Sequence, residues 1–198
     1  MLFLKLLLKA LPLFFWLLLM LSFDAPYLTV LTLIAAALHE LGHIAASEIF
    51  LGRRSGAPYA VLSGFRIKTA AGLSYKEEIF VAALGPLTNL VVGAAFIFSS
   101  LEYAKIFAIV NFLTAASNLM PINSYDGYRI LDSVLAILFN DAAKAQKILH
   151  SISFAFSICA TFLSLYLILK ISEGYWIFAI FFSVVISEII KRQKHTFF

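Results

Sequence analysis

Cysteine occurs once in this sequence, at Cys159, so no disulfide can form within the chain and no Cys-rich zinc site can be built. The lone thiol sits in an apolar run and reads as a small buried hydrophobe. Charge is scarce as well: Asp, Glu, Lys and Arg make up 13% of the 198 residues, against 62% hydrophobic, and phenylalanine alone occurs 20 times. An ordinary soluble domain carries about twice that share of charge, so this class is excluded. The net charge of +4 comes from basic segments that orient a chain in a bilayer, not from a nucleic-acid-binding surface. No small-residue cleavage pattern follows the apolar N-terminal stretch, so a retained first span is expected rather than a removed signal. There is no internal repeat or low-complexity tract, and no soluble domain is expected at either end.

What the sequence has in quantity is apolar length. Segments of about 20 apolar residues cross the hydrocarbon core of a bilayer. Six such segments are read here, at about 1–23, 27–50, 79–98, 105–122, 148–169 and 175–190. The expected fold is an all-α polytopic membrane protein with about six transmembrane helices, forming one domain over 1–198. Residues 60–71 place β-branched and aromatic residues between glycines. That pattern predicts either a short β-hairpin at the membrane face, whose edge could pair with an extended peptide, or a solvated connection. The stretch 128–140 is short and amphipathic, which suits an interface. With six spans both termini share one side. Of the 15 Lys and Arg residues, only Lys105 and Lys170 fall opposite. By the positive-inside rule the richer side is cytoplasmic.

The second span carries Leu38-His39-Glu40-Leu41-Gly42-His43, an H-E-x-x-H sequence. On a helix, residues four apart share a face, so His39 and His43 project toward a common point. Two imidazoles placed that way can grip one Zn²⁺, with Glu40 beside it to act on water. The competing reading is a chance motif with histidines satisfied by packing. Ionisable groups are costly in lipid, however, and three of the chain's four histidines and seven glutamates coincide here. The inward run of this helix places the pair in its cytoplasmic half.

A catalytic zinc usually takes three protein ligands. His150 and His195 lie in or near basic flanks, where a solvated imidazole is the default. Asp24 is on the wrong side, Cys159 has no polar company, and Asp132 and Asp141 belong to the wet face of the amphipathic stretch. Asp126 follows the helix break Asn118-Leu119-Met120-Pro121, and Gly127 lets the backbone turn so that the carboxylate can point inward. Two readings stay open for Asp126, an N-cap of the next helix and the third ligand. Its depth, matching that of the two histidines, favours the ligand. In the third span, Gly85 and Pro86 weaken the helix, and Asn89 must face other helices, as packing glue or as part of a site.

In order and spacing, His39-Glu40-x-x-His43, Gly85-Pro86-x-x-Asn89 and Asn118-x-x-Pro121-x-x-x-x-Asp126-Gly127 resemble the site-2 protease family of intramembrane metalloproteases. The match covers roughly 38–131. Within the family, Lys76-Glu77-Glu78 ahead of the Gly-Pro element and the charged segment 188–194 are similar to the stage IV sporulation protein FB group. The resemblance implies one zinc ion, a catalytic core at about 26–131, a membrane-embedded protein substrate, a membrane-bound regulator and a bacterial plasma membrane. Departures are visible: Ser124-Tyr125-Asp126-Gly127-Tyr128 stands where the family often shows Pro-Leu-Asp-Gly-Gly. Neither a cystathionine-β-synthase-type nor a PDZ domain is present, so regulation through either is not expected.

The expected chemistry is hydrolysis of a peptide bond in or near a membrane segment. Glu40 is the general base, and Asn118 or Asn89 the neutral donor to the oxyanion, with Pro121 near the substrate. A substrate helix must unwind first, because its backbone is already paired. The alternatives are a zinc-binding membrane transporter, whose ligands would be spread along a pathway, and a non-proteolytic helix-binding relative, against which the intact Glu40 argues.

Overall fold

The run that carries the two histidines begins at a proline whose fixed φ suits a first helical turn. It forms α1 (Pro26–Ile44) and continues as a π-helical turn, Ala45–Phe50. The structure, a computed structural model, describes residues 26–54, 58–61, 64–67, 72–123, 125–171, 182 and 185. After Gly52, at φ 62°, the chain makes two short strands, β1 (Pro58–Val61) and β2 (Gly64–Ile67). They pair antiparallel in the register Pro58↔Ile67 to Val61↔Gly64, starting slightly before the stretch expected at 60–71, and β2 contacts α1.

A capping box starts α2 (Tyr75–Phe96). The Glu77 N–H donates to Ser74 Oγ at 3.4 Å, and the Ser74 N–H donates to Glu77 Oε2 at 2.7 Å. The helix runs through Pro86, which has no N–H to offer the carbonyl of Ala82. Three further helices follow: α3 (Glu102–Asn118), α4 (Asp126–Phe139) and α5 (Ala142–Ile171). Asn140, in the left-handed conformation at φ 50°, ends α4.

Helix α2 is the centre of the arrangement. It packs against α1, α3 and α4, and α5 packs on α4. Among the described residues the interior is rich in small and polar residues, among them Ala35, Ala82, Gly85, Asn89, Asn111 and Ala115, with Val81, Ile122 and Leu149 as the large apolar ones. Large apolar side chains such as Leu41, Val91, Leu113, Phe162 and Leu169 face outward. A soluble protein arranges these the other way round. In a bilayer, lipid solvates the large apolar groups, while small residues let helix backbones come close enough to pack.

Among the described residues three helical stretches are long and apolar enough to cross a membrane: Tyr27–Phe50, Tyr75–Phe96 and Ala142–Lys170. These contain the segments expected at 27–50 and 148–169 and overlap that expected at 79–98, starting four residues earlier and ending two earlier. The segment expected at 105–122 overlaps α3, which starts earlier, ends at Asn118 and, at 17 residues, is shorter than those three. The spans expected at 1–23 and, but for two residues, at 175–190 lie outside the described residues. Cys159 corrects the expectation of a buried thiol: it is exposed on α5, on a helix whose outer face is apolar, where a thiol needs no protein cover.

Candidate metal centre

Helical periodicity alone puts His39 and His43 on one side of α1, and their ring centroids lie 4.8 Å apart. Both side chains are buried. What directs them is the close crossing of α1 and α2. A Cβ at Gly42 would lie 2.5 Å from Thr88 Oγ1 and 2.6 Å from the Leu84 carbonyl oxygen. A Cβ at Gly85 would lie 2.5 Å from His43 Nε2 and 2.9 Å from His39 Nε2. The two glycines therefore let the α2 backbone rest against the imidazole edges.

Asp126 arrives from α4. The 119–125 link that carries it is held from several directions. Ile122 is fully buried, the Asn123 N–H donates to Ser153 Oγ of α5 at 2.7 Å, and the Tyr125 N–H donates to the Ile122 carbonyl at 2.9 Å. Gly127 abuts the carbonyls of Leu119 and Met120 so closely that no Cβ fits there. Asp126 does not cap its helix: Tyr125 occupies that position and Asp126 is the first helical residue. Its carboxylate is buried, with Oδ2 lying 2.8 Å from His39 Nε2 and 3.1 Å from His43 Nε2, while the two Nε2 atoms are 3.2 Å apart.

The outer nitrogens fix the tautomers. His43 Nδ1–H donates to the Val81 carbonyl at 2.8 Å. The Asn89 amide donates through Nδ2 to the Ala35 carbonyl at 2.9 Å and to Asn111 Oδ1 at 2.8 Å, which leaves Oδ1 to accept from His39 Nδ1–H at 2.8 Å. Each neutral imidazole then turns the lone pair of Nε2 inward, toward Asp126 Oδ2. With both imidazoles in this form, three acceptor atoms converge, an arrangement that a bound cation would satisfy. Tetrahedral zinc with bonds of 2.0–2.1 Å sets its donors about 3.3 Å apart, a few tenths of an ångström wider than the separations here. His39, His43 and Asp126 fit such an ion, and among the described residues they are the group of three that could hold a metal.

Glu40 is half-buried on the same helix. The expectation for Asn89 needs correction. Both of its donors are already used, so it orients His39 and has no N–H for an oxyanion. Asn118 is half-buried and donates from Nδ2 to the Thr114 carbonyl of its own helix at 3.0 Å. Among the described residues it makes no hydrogen bond to the cluster. Pro121 is half-buried in the link before α4. His150 stays outside the cluster, its ring 6.1 Å from that of Tyr128, half-buried between α4 and α5 rather than solvated. Asp132, expected on a wet face, is half-buried, with its Oδ1 covered. Burial raises its carboxyl above the ordinary value; His150 opposes that rise, and the charge of Glu78 adds to it.

Sequence reasoning missed the Val81 carbonyl, Asn111, and the Arg129 and Glu78 pair that reaches Asp126 from outside. Asn111 carried a signal, being an amide in an apolar helix, and Arg129 stands three residues after Asp126 on a helix face. The Val81 carbonyl carried none.

Fold and site together define a helical membrane protein with a buried cluster of two histidines and one carboxylate. The chain shares the fold of the site-2 protease from Methanocaldococcus jannaschii, with a TM-score of 0.65 and 18% identity, over 92% of this chain and 85% of that one. No family model matches the sequence, and no curated protein matches it. The narrower likeness to the sporulation group finds no support in these comparisons.

Proposed function

We propose that this protein is an intramembrane zinc metalloprotease of the site-2 type, cutting a substrate protein in or near its membrane segment. The observation that carries the reading is the convergence of His39 Nε2, His43 Nε2 and Asp126 Oδ2, with Glu40 inside the same H-E-x-x-H turn. The shared fold with a site-2 protease supports it.

Zinc bound by His39, His43 and Asp126 would polarise a scissile carbonyl and make water acidic enough to be deprotonated near neutral pH. Glu40 is the general base that takes a proton from water and returns it to the leaving amine. Asn89 and the Val81 carbonyl hold the two imidazoles in the tautomer that presents Nε2. Of the two amides expected as donors, Asn118 is the one left to donate to a carbonyl oxygen as negative charge develops on it. The six-span topology, with both termini and the site on the cytoplasmic side, is part of the same proposal.

The experiment compares metal content and cleavage for wild type, Glu40→Gln and Asp126→Asn, purified in detergent. Glu40→Gln should retain zinc and lose cleavage by a factor of at least about 10². Asp126→Asn should lose both together, because a neutral amide no longer offsets the cation's charge. Cleavage by zinc-loaded Glu40→Gln would remove Glu40 from the mechanism, and full zinc in Asp126→Asn would remove the third ligand.

A further inference from the structure

Only one oxygen of Asp126 faces the imidazoles. The other, Oδ1, accepts from Arg129 Nη1 at 2.9 Å. The same guanidinium donates from Nε to Glu78 Oε1 at 2.9 Å, and its Nη2 approaches that oxygen at 2.8 Å, off the direction of its N–H. Arg129 stands one helical turn after Asp126 on α4, and Glu78 lies in the first turn of α2. The side chain of Asp126 is 6% exposed, that of Arg129 22% and that of Glu78 26%. The chain of charges therefore runs from the buried cluster outward.

We propose that Arg129, held by Glu78, is the positioning residue of the third ligand. It keeps Asp126 presenting one oxygen to the metal, and it keeps the Glu78 carboxylate engaged outside the cluster. The inference rests on the metal reading above and goes beyond it. A free carboxylate can rotate about its last torsion and offer either oxygen, or both. Bonding Oδ1 to a guanidinium that is itself anchored removes that freedom. The planar fork of arginine spans two carboxylates at once, which a lysine ammonium on a flexible stem does less well. An ordinary ion pair tying α2 to α4 would use the same atoms, but its loss would change only stability.

The test uses the full chain in detergent. Zinc affinity is measured by competition with a chromogenic chelator, and the visible absorption of bound Co²⁺ reports the ligand geometry. Variants are Arg129→Gln, Arg129→Lys, Glu78→Gln and the double change Arg129→Gln/Glu78→Gln. Arg129→Gln should weaken zinc binding by about 10- to 100-fold and alter the Co²⁺ bands. Arg129→Lys should recover part of the affinity. Glu78→Gln should weaken binding in the wild-type background and add nothing once Arg129 is gone, because it acts through Arg129. If Arg129→Gln does not fold, Arg129→Lys and Glu78→Gln carry the same comparison. Variants that bind zinc as wild type does, or that lose thermal stability with Co²⁺ bands unchanged, overturn the inference while leaving the metal centre standing. A wild-type protein that binds no zinc overturns both.

Discussion

Asn89 shows how one amide can tie helices together and hold a cluster histidine at the same time. Its two N–H groups bind the Ala35 carbonyl of α1 and Asn111 of α3, so it ties three helices. Those bonds also decide which way the amide points, and so leave its oxygen for His39. In a region without water, each of these groups is costly to leave unpaired. Asn89→Ala should therefore lower metal affinity by about 10- to 100-fold and destabilise the protein by about 1–3 kcal/mol. Titration calorimetry and thermal unfolding, run on the same sample, check the two effects. A variant that unfolds earlier yet binds metal as wild type does would reduce Asn89 to packing alone. Arg129 extends the logic to the carboxylate, since each of the three cluster side chains has a hydrogen bond on its far side.

The crossing of α1 and α2 is set by Gly42 and Gly85, not by large side chains. Gly85 is the more exposing test, because the space its missing Cβ leaves adjoins both Nε2 atoms. Gly85→Ala should push the imidazoles apart and abolish metal binding, while helical content measured by circular dichroism stays the same. Alanine favours helix over glycine by about 1 kcal/mol, so any loss comes from the collision and not from the helix. Metal binding undiminished in Gly85→Ala would mean that the helices can separate at no cost to the site. Helix α4 carries a related lesson. Its amphipathic stretch, 128–140, predicts one wet face, yet Arg129 turns toward Glu78 of α2, and Asp132 lies near His150 of α5. Packing on two sides took polar groups that periodicity assigned to water.

Among the described residues, small and polar side chains dominate the interior and most of the large apolar ones lie outside, as suits a bilayer. The protein's orientation is testable through the asymmetry of basic residues. In a Cys159→Ser background, single cysteines at Arg54 and Ala142 should react with a membrane-impermeant reagent only from the cytoplasmic side, and one at Glu102 only from outside. Reaction at position 102 from the cytoplasm would overturn the six-span proposal.

The sequence by itself determined the membrane class, the extent of the helical run Tyr27–Phe50 and the pairing of His39 with His43. All three follow from local quantities: apolar length, helical period and the i, i+4 offset, none of which depends on distant chain. Asp126 was within reach because a proline break and a glycine marked a turn at the matching depth. The tertiary structure alone decided the rest. The 83 and 87 residues separating Asp126 from the two histidines, the carbonyl of Val81, the three-way bonding of Asn89 and the Arg129–Glu78 bridge all depend on which faces of four helices meet. That choice rests on small residues at the crossings, whose effect is the absence of a side chain, and a periodic pattern does not record an absence.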